Sequence, residues 1–104
     1  MKKELIKKWC ELALLRTKKI NYQASSSYGL KHYCEDSIGE YVSNTEIKQV
    51  MDELGFIKNN DVNPVYNISK IINRVVFENR KKNIYSDKNR CFHQNAKRIV
   101  CVDF

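Results

Sequence analysis

The chain has 104 residues, 42% of them apolar and 30% charged, and a formal net charge of +7. That length allows one domain with one modest core, and the apolar share excludes a chain that is disordered throughout. No apolar run approaches the roughly 18 residues that cross a bilayer, and Met1-Lys2-Lys3-Glu4 leads into no uninterrupted apolar stretch, so no membrane contact and a cytoplasmic location are expected.

Lys2 to about Lys19 places Leu5, Ile6, Trp9, Leu12, Ala13 and Arg16 at helical spacing, with Lys3, Lys7, Lys8 and Glu11 mostly opposite, which predicts a first helix. The polar linker Asn21–Ser27 follows, and its serines are suited to cap a second helix from about Ser26 to Ser37. Leu30, Tyr33, Cys34 and Ile38 form the inner stripe of that helix, and Gly39 is a natural stop. After the short extended piece Tyr41-Val42, Ser43 or Asn44 caps a third helix to about Leu54. Its stripe is Ile47, Val50, Met51 and Leu54, and Gly55 ends it. Two helices joined by a short turn read as a helix-turn-helix unit.

Phe56-Ile57-Lys58 and Val65-Tyr66-Asn67-Ile68 are short apolar runs flanking a loop of Asn, Asp and Pro, the pattern of a β-hairpin, here a wing. Ser69 then caps a fourth helix to about Lys82, with Ile71, Ile72, Val75 and Val76 inside. Its β-branched residues make it dependent on packing. From Asn83 to Asn95 the chain is polar and without period. Arg98-Ile99-Val100-Cys101-Val102 is either a docked strand or the apolar tip of a mobile tail, and the tail is favoured. The expected architecture is thus mostly α with a small β-hairpin (α+β): a winged helix-turn-helix domain over residues 1–82 and a flexible polar tail over residues 83–104.

Charge is unevenly distributed. Residues 1–30 carry seven basic and two acidic side chains (+5), residues 31–61 three and seven (−4), and residues 62–104 nine and three (+6). Cationic ends of this kind attract polyanions such as nucleic acid, although a solvated surface would look similar. The third helix turns Thr45, Glu46, Lys48, Gln49, Asp52 and Glu53 outward. A net acidic face is repelled by the two phosphate rows of a major groove, which argues against sequence-specific duplex reading by that helix. The contacts are instead expected from the basic ends and the wing. The tyrosines fit single strands, because splayed bases stack on such rings for about 1–3 kcal/mol each. At least half of the six are nevertheless expected to be core residues. The residues expected to hold nucleic acid, chosen for charge and aromaticity, are Lys18, Lys19, Tyr28, Lys31, Lys58, Lys70, Arg74, Arg80, Lys81 and Lys82.

Catalysis finds little support. His32 and His93 are the two histidines. The acid pairs Glu35-Asp36 and Asp52-Glu53 are adjacent in sequence, so they diverge on a helix and read as solvated faces. No glycine-rich phosphate loop is present, and no cofactor is expected. Cys10 and Cys34 lie on helical apolar faces as free thiols. Cys91, His93 and Cys101 make at most an incomplete zinc set whose fourth ligand must come from afar, so free reduced thiols and no metal are expected.

Ser26-Ser27-Tyr28-Gly29-Leu30-Lys31-His32, Gly39-Glu40-Tyr41-Val42-Ser43-Asn44, Gly55-Phe56 and Tyr66-Asn67-Ile68-Ser69 resemble a family of short proteins on Gram-positive mobile elements and phages. Nearest in pattern are the small single-stranded-DNA-binding proteins of staphylococcal cassette chromosome elements. The resemblance covers roughly residues 5–80. It implies a winged helix in place of the oligonucleotide-binding barrel, cooperative and sequence-tolerant binding of single-stranded DNA in replication or transfer of a mobile element, and a loose tail that contacts other replication proteins. The last residues, Val102, Asp103 and Phe104, are thinly similar to the acidic, Phe-terminated tips with which barrel-type binders dock on partners. The alternatives are a protein-interaction module or an inhibitor of a host nucleic-acid enzyme, and, less favoured, a dimeric repressor.

Overall fold

The computed structural model describes residues 2–78 and 97–102, which form three helices and a two-stranded sheet, an α+β fold. Helix α1 spans Lys2–Ala13, α2 Ser27–Ile38 and α3 Asn44–Glu53. Strands β1 (Arg74–Phe77) and β2 (Ile99–Val102) follow. The three helices pack on one another around a core of Leu5, Ile6, Trp9, Leu30, Cys34, Ile38, Ile47, Val50 and Met51, and α1 and α2 also meet β1. These are the stripes that helical spacing marks out. Each fully buried aliphatic side chain contributes about 1.5–3 kcal/mol. Trp9 Nε1 donates to Ser37 Oγ (3.1 Å), fixing α1 on α2. Cys10 and Cys34 are fully buried free thiols, and burial pushes both pKa values up.

The end of α2 and the start of α3 follow local chemistry. Gly39 closes α2 in the left-handed conformation (φ 75°), and its N–H donates to the Glu35 carbonyl. Ser43 opens α3 with a reciprocal pair: the Glu46 N–H donates to Ser43 Oγ (3.1 Å) and the Ser43 N–H to Glu46 Oε1 (2.9 Å). Ser26 is the N-cap of α2, but its side chain makes no capping bond. The first free N–H, that of Ser27, goes to the Pro64 carbonyl (2.9 Å).

Helix α1 ends at Ala13, not near Lys19. Beyond it the chain is extended, and Arg16 forms an antiparallel bridge with Ile68. Thr17 N–H donates to the Asn67 carbonyl (2.8 Å) and Ser69 N–H to the Leu15 carbonyl (2.7 Å), so long-range pairing overrides local helix propensity. The carbonyls left at the end of α1 are taken by Asn73, whose N–H donates to Ala13 and whose Nδ2 donates to Leu12, both at 2.9 Å.

The expected hairpin is present in minimal form. Lys58 and Tyr66 make one antiparallel bridge, flanked by bonds from Asn59 N–H to the Val65 carbonyl and from Asn67 N–H to the Ile57 carbonyl. Buried Asn67 holds both neighbouring segments. Its Oδ1 accepts from the Ile57 N–H (2.8 Å), and its Nδ2 donates to the Thr17 carbonyl (3.0 Å).

The fourth helix is not formed over the described residues. Ser69–Asn73 is irregular and Arg74–Phe77 is a strand, while residues 79–82 lie outside the described part. Val75 and Phe77 are buried and Arg74 and Val76 only partly so, a period of two. The i, i+4 spacing of Ile71, Ile72, Val75 and Val76 is compatible with a helix, but β-branched residues with a partner strand favour the sheet. That partner is the end of the segment expected to be a mobile tail. β2 pairs with β1 in parallel, Arg74 opposite Ile99 and Phe77 opposite Val102. The docked-strand reading therefore holds for residues 99–102, and residues 83–96 lie outside the described part.

Candidate nucleic-acid interface

The outward side of α3 is acidic, as its sequence indicates, and each of its acids has a lysine partner. Glu46 pairs with Lys2 (3.1 Å), Glu53 with Lys3 (2.7 Å) and Asp52 with Lys58 (3.1 Å). Bonds from the Ser43 N–H and from Lys2 hold the Glu46 carboxyl below its ordinary pKa. Lys48 Nζ donates to the Val62 carbonyl of the hairpin loop (2.9 Å), and Asn44 Nδ2 donates to Asn63 Oδ1 (2.8 Å). The cations around this helix serve the fold's own acids and carbonyls. Lys58, expected to reach phosphate, is one of them.

Glu35 and Asp36, expected on a solvated face, are both buried, because α2 is covered by α1, α3 and β1. Glu35 is the hub of the turn between α2 and α3. It accepts from Lys31 Nζ (3.3 Å) and the Val42 N–H (3.2 Å) through Oε1, and its Oε2 lies 3.0 Å from His32 Nδ1. Burial raises the Glu35 pKa, but the bonds from Val42, His32 and Lys31 outweigh it and hold the carboxyl below its ordinary value. Lys31 is a correction as well. It was expected to hold phosphate, yet it is only 6% exposed and its charge is matched by Glu35.

What Lys31 does instead is arrange two tyrosines. Its ammonium lies 4.8 Å from the centroid of Tyr41 and 5.8 Å from that of Tyr28, so both rings flank one cation. Tyr28 also meets His32 edge-on at 4.8 Å, and Lys2 lies 5.8 Å from Tyr41. Tyr28 is 55% exposed and Tyr41 66%, and Tyr22, in the preceding linker, is 70% exposed. Three of the five described tyrosines are thus exposed, against the expectation that at least half of the six are core. Tyr66 is fully buried and Tyr33 half-buried, while Tyr85 lies outside the described part.

Lys18, Lys19 and Lys70 are exposed and Arg74 half-exposed, and none of the four has an ion pair among the described residues. Lys18 and Lys19 form a bend after the Arg16 bridge, and the chain then turns at Tyr22. Arg74 lies beside Arg98, whose carbonyl accepts the Arg74 N–H (2.9 Å), and the Lys97 N–H donates to the Ile72 carbonyl (3.0 Å). Val102, expected in a partner-binding tip, is in β2 and packs against the core. Arg80, Lys81, Lys82, Asp103 and Phe104 lie outside the described residues, as do Cys91 and His93. No cluster of His, Cys, Asp and Glu suited to a metal occurs among the described residues, and no helix there is long and apolar enough to cross a membrane.

The structure adds Tyr22, Tyr41, Lys97 and Arg98 to the exposed groups. Tyr41 had a signal in the sequence, since it follows Gly39-Glu40 in the turn between two helices, where a side chain is more often exposed than inside either helix. Compared with known proteins, the chain matches no family model, no curated protein and no solved structure.

Proposed function

We propose that this chain is a winged-helix protein that binds single-stranded DNA with little sequence preference and carries out no reaction itself. The order of segments supports the fold reading: a helix, an extended segment at Arg16, two helices across a turn, then a hairpin whose second leg returns to Arg16 through Ile68. That is the order of a winged helix, with each strand reduced to a single bridge.

The observation that carries the binding reading is the coexistence of three exposed tyrosines with cations that have no ion pair among the described residues. Tyr22, Tyr28 and Tyr41 present ring faces on which bases stack, and Lys18 and Lys19 are exposed cations with no ion pair among the described residues, available to phosphate. Duplex reading by α3 is disfavoured, because its outward acids and their lysine partners leave no cationic surface for a groove. The setting proposed is replication or transfer of a mobile element, the setting implied by the resemblance in residues 5–80.

Fluorescence anisotropy with labelled oligothymidylate and with a duplex of equal length tests this. The expected result is binding to the single strand at about micromolar Kd or tighter, falling steeply with salt, and clearly weaker binding to the duplex. Equal affinity for duplex, or no binding at low salt, overturns it.

A further inference from the structure

The outer edge of the β1–β2 sheet carries a second, separate surface. β2 has β1 as its sole neighbour in the sheet among the described residues. Arg98 and Val102 turn their carbonyls toward β1, where they accept from Arg74 and Glu78 N–H (both 2.9 Å). Alternate residues of a strand point their backbone groups to opposite edges, so Ile99 and Cys101 direct N–H and C=O outward, away from β1. Ile99 is 61% exposed and Cys101 is exposed. Ile71, 45% exposed, is next to Ile72, whose carbonyl holds Lys97. Around this edge stand Lys70, Arg74, Lys97 and Arg98, with no ion pair among the described residues.

We propose that the β2 edge is a docking site for an extended acidic peptide of a protein partner, which adds as a further strand alongside Ile99–Val102. A row of backbone donors and acceptors is complementary to another peptide backbone, not to a sugar–phosphate chain. The exposed isoleucines offer apolar contact to alternate side chains of such a strand. The four cations select acidic residues and repel a second copy of this same basic edge. The surface is independent of the tyrosines and of the nucleic-acid reading.

The test uses the full chain and a fluorescein-labelled decapeptide alternating Glu and Val. Its controls are a Glu-Gly decapeptide of equal charge and a Glu-Val decapeptide N-methylated at alternate amides. Anisotropy is expected to show saturable binding of the Glu-Val peptide, with both controls weaker by about tenfold or more. Ile99→Asp and Arg74→Glu are each expected to weaken it by a similar factor, and Ile99→Asp, at an exposed position, to leave the melting temperature unchanged. Equal binding of the Glu-Gly peptide would reduce the surface to bulk charge and overturn the proposal. So would indifference to N-methylation or to Ile99→Asp, or displacement of the Glu-Val peptide by oligothymidylate, which would assign the edge to nucleic acid.

Discussion

Two groups of lysines in this chain differ in what their charge is doing. Around α3, Lys2, Lys3 and Lys58 each meet a carboxylate of that helix, and Lys48 meets a loop carbonyl. Along the segment from Lys18 to Tyr41, Lys18 and Lys19 have no acid partner among the described residues, and the rings of Tyr22, Tyr28 and Tyr41 are exposed. Each of these lysines counts alike in the net charge of +7. Only the second can offer a polyanion charge that is not already answered from within the fold. The number of lysines thus says less about binding than which of them the fold leaves unpaired.

The largest effect that would break this comparison lies with the rings. Tyr28→Ala combined with Tyr41→Ala is expected to remove about 2–6 kcal/mol of affinity for oligothymidylate, from stacking worth about 1–3 kcal/mol per base. Anisotropy titration measures it, with the melting temperature as the check on folding. A double variant that still binds within threefold would remove the tyrosines from the interface.

Next comes the hub beneath those rings. Glu35→Ala leaves the Lys31 ammonium buried without its counter-charge and is expected to cost about 3–5 kcal/mol of stability, read by urea denaturation. The pH dependence has a definite sign. The folded pKa of Glu35 is depressed, so its contribution is present above the unfolded value of about 4.3 and is lost as pH falls through the lower folded value. Glu46 acts in the same sense. The Tm of the wild type should fall below about pH 4, and Glu35→Gln should make that fall shallower.

How much of this was legible beforehand depends on the range over which each feature is determined. The second and third helices, Gly39, Ser43 and the core stripes are set by residues within a turn of one another, and the sequence displays them directly. The end of α1 is set by Ile68 and Asn73, more than fifty residues away, so helical spacing runs on past it. The segment 69–77 carries β-branched residues at a spacing that fits either a helix or a strand. Its partner, Ile99–Val102, decides the matter, and an apolar run near the end of a chain does not announce that it will dock. In the site, the exposed lysines and Tyr28 were recognisable as types suited to nucleic acid. The burial of Lys31 was not, because it depends on Glu35 one turn later and on Tyr41 across the next turn. The pairing of Lys2, Lys3 and Lys58 with α3 likewise joins segments that the sequence shows only separately.

The smallest effect sharpens the comparison from the other side. Lys3→Ala removes an exposed ion pair with Glu53 and is expected to change stability by no more than about 1 kcal/mol, and single-strand affinity by less than twofold. A loss of affinity matching that of Lys18→Ala would mean that paired and unpaired lysines contribute alike.

The most direct test of the central claim is the salt dependence of oligothymidylate binding in two double variants, Lys18→Ala/Lys19→Ala and Lys2→Ala/Lys3→Ala. Each lysine that neutralises one phosphate of a single strand contributes about 0.7 to the slope of log K against log salt. The account predicts a slope shallower by about 1.4 for the Lys18/Lys19 variant and an unchanged slope for the Lys2/Lys3 variant. Equal losses in both, or a loss confined to Lys2 and Lys3, would contradict it.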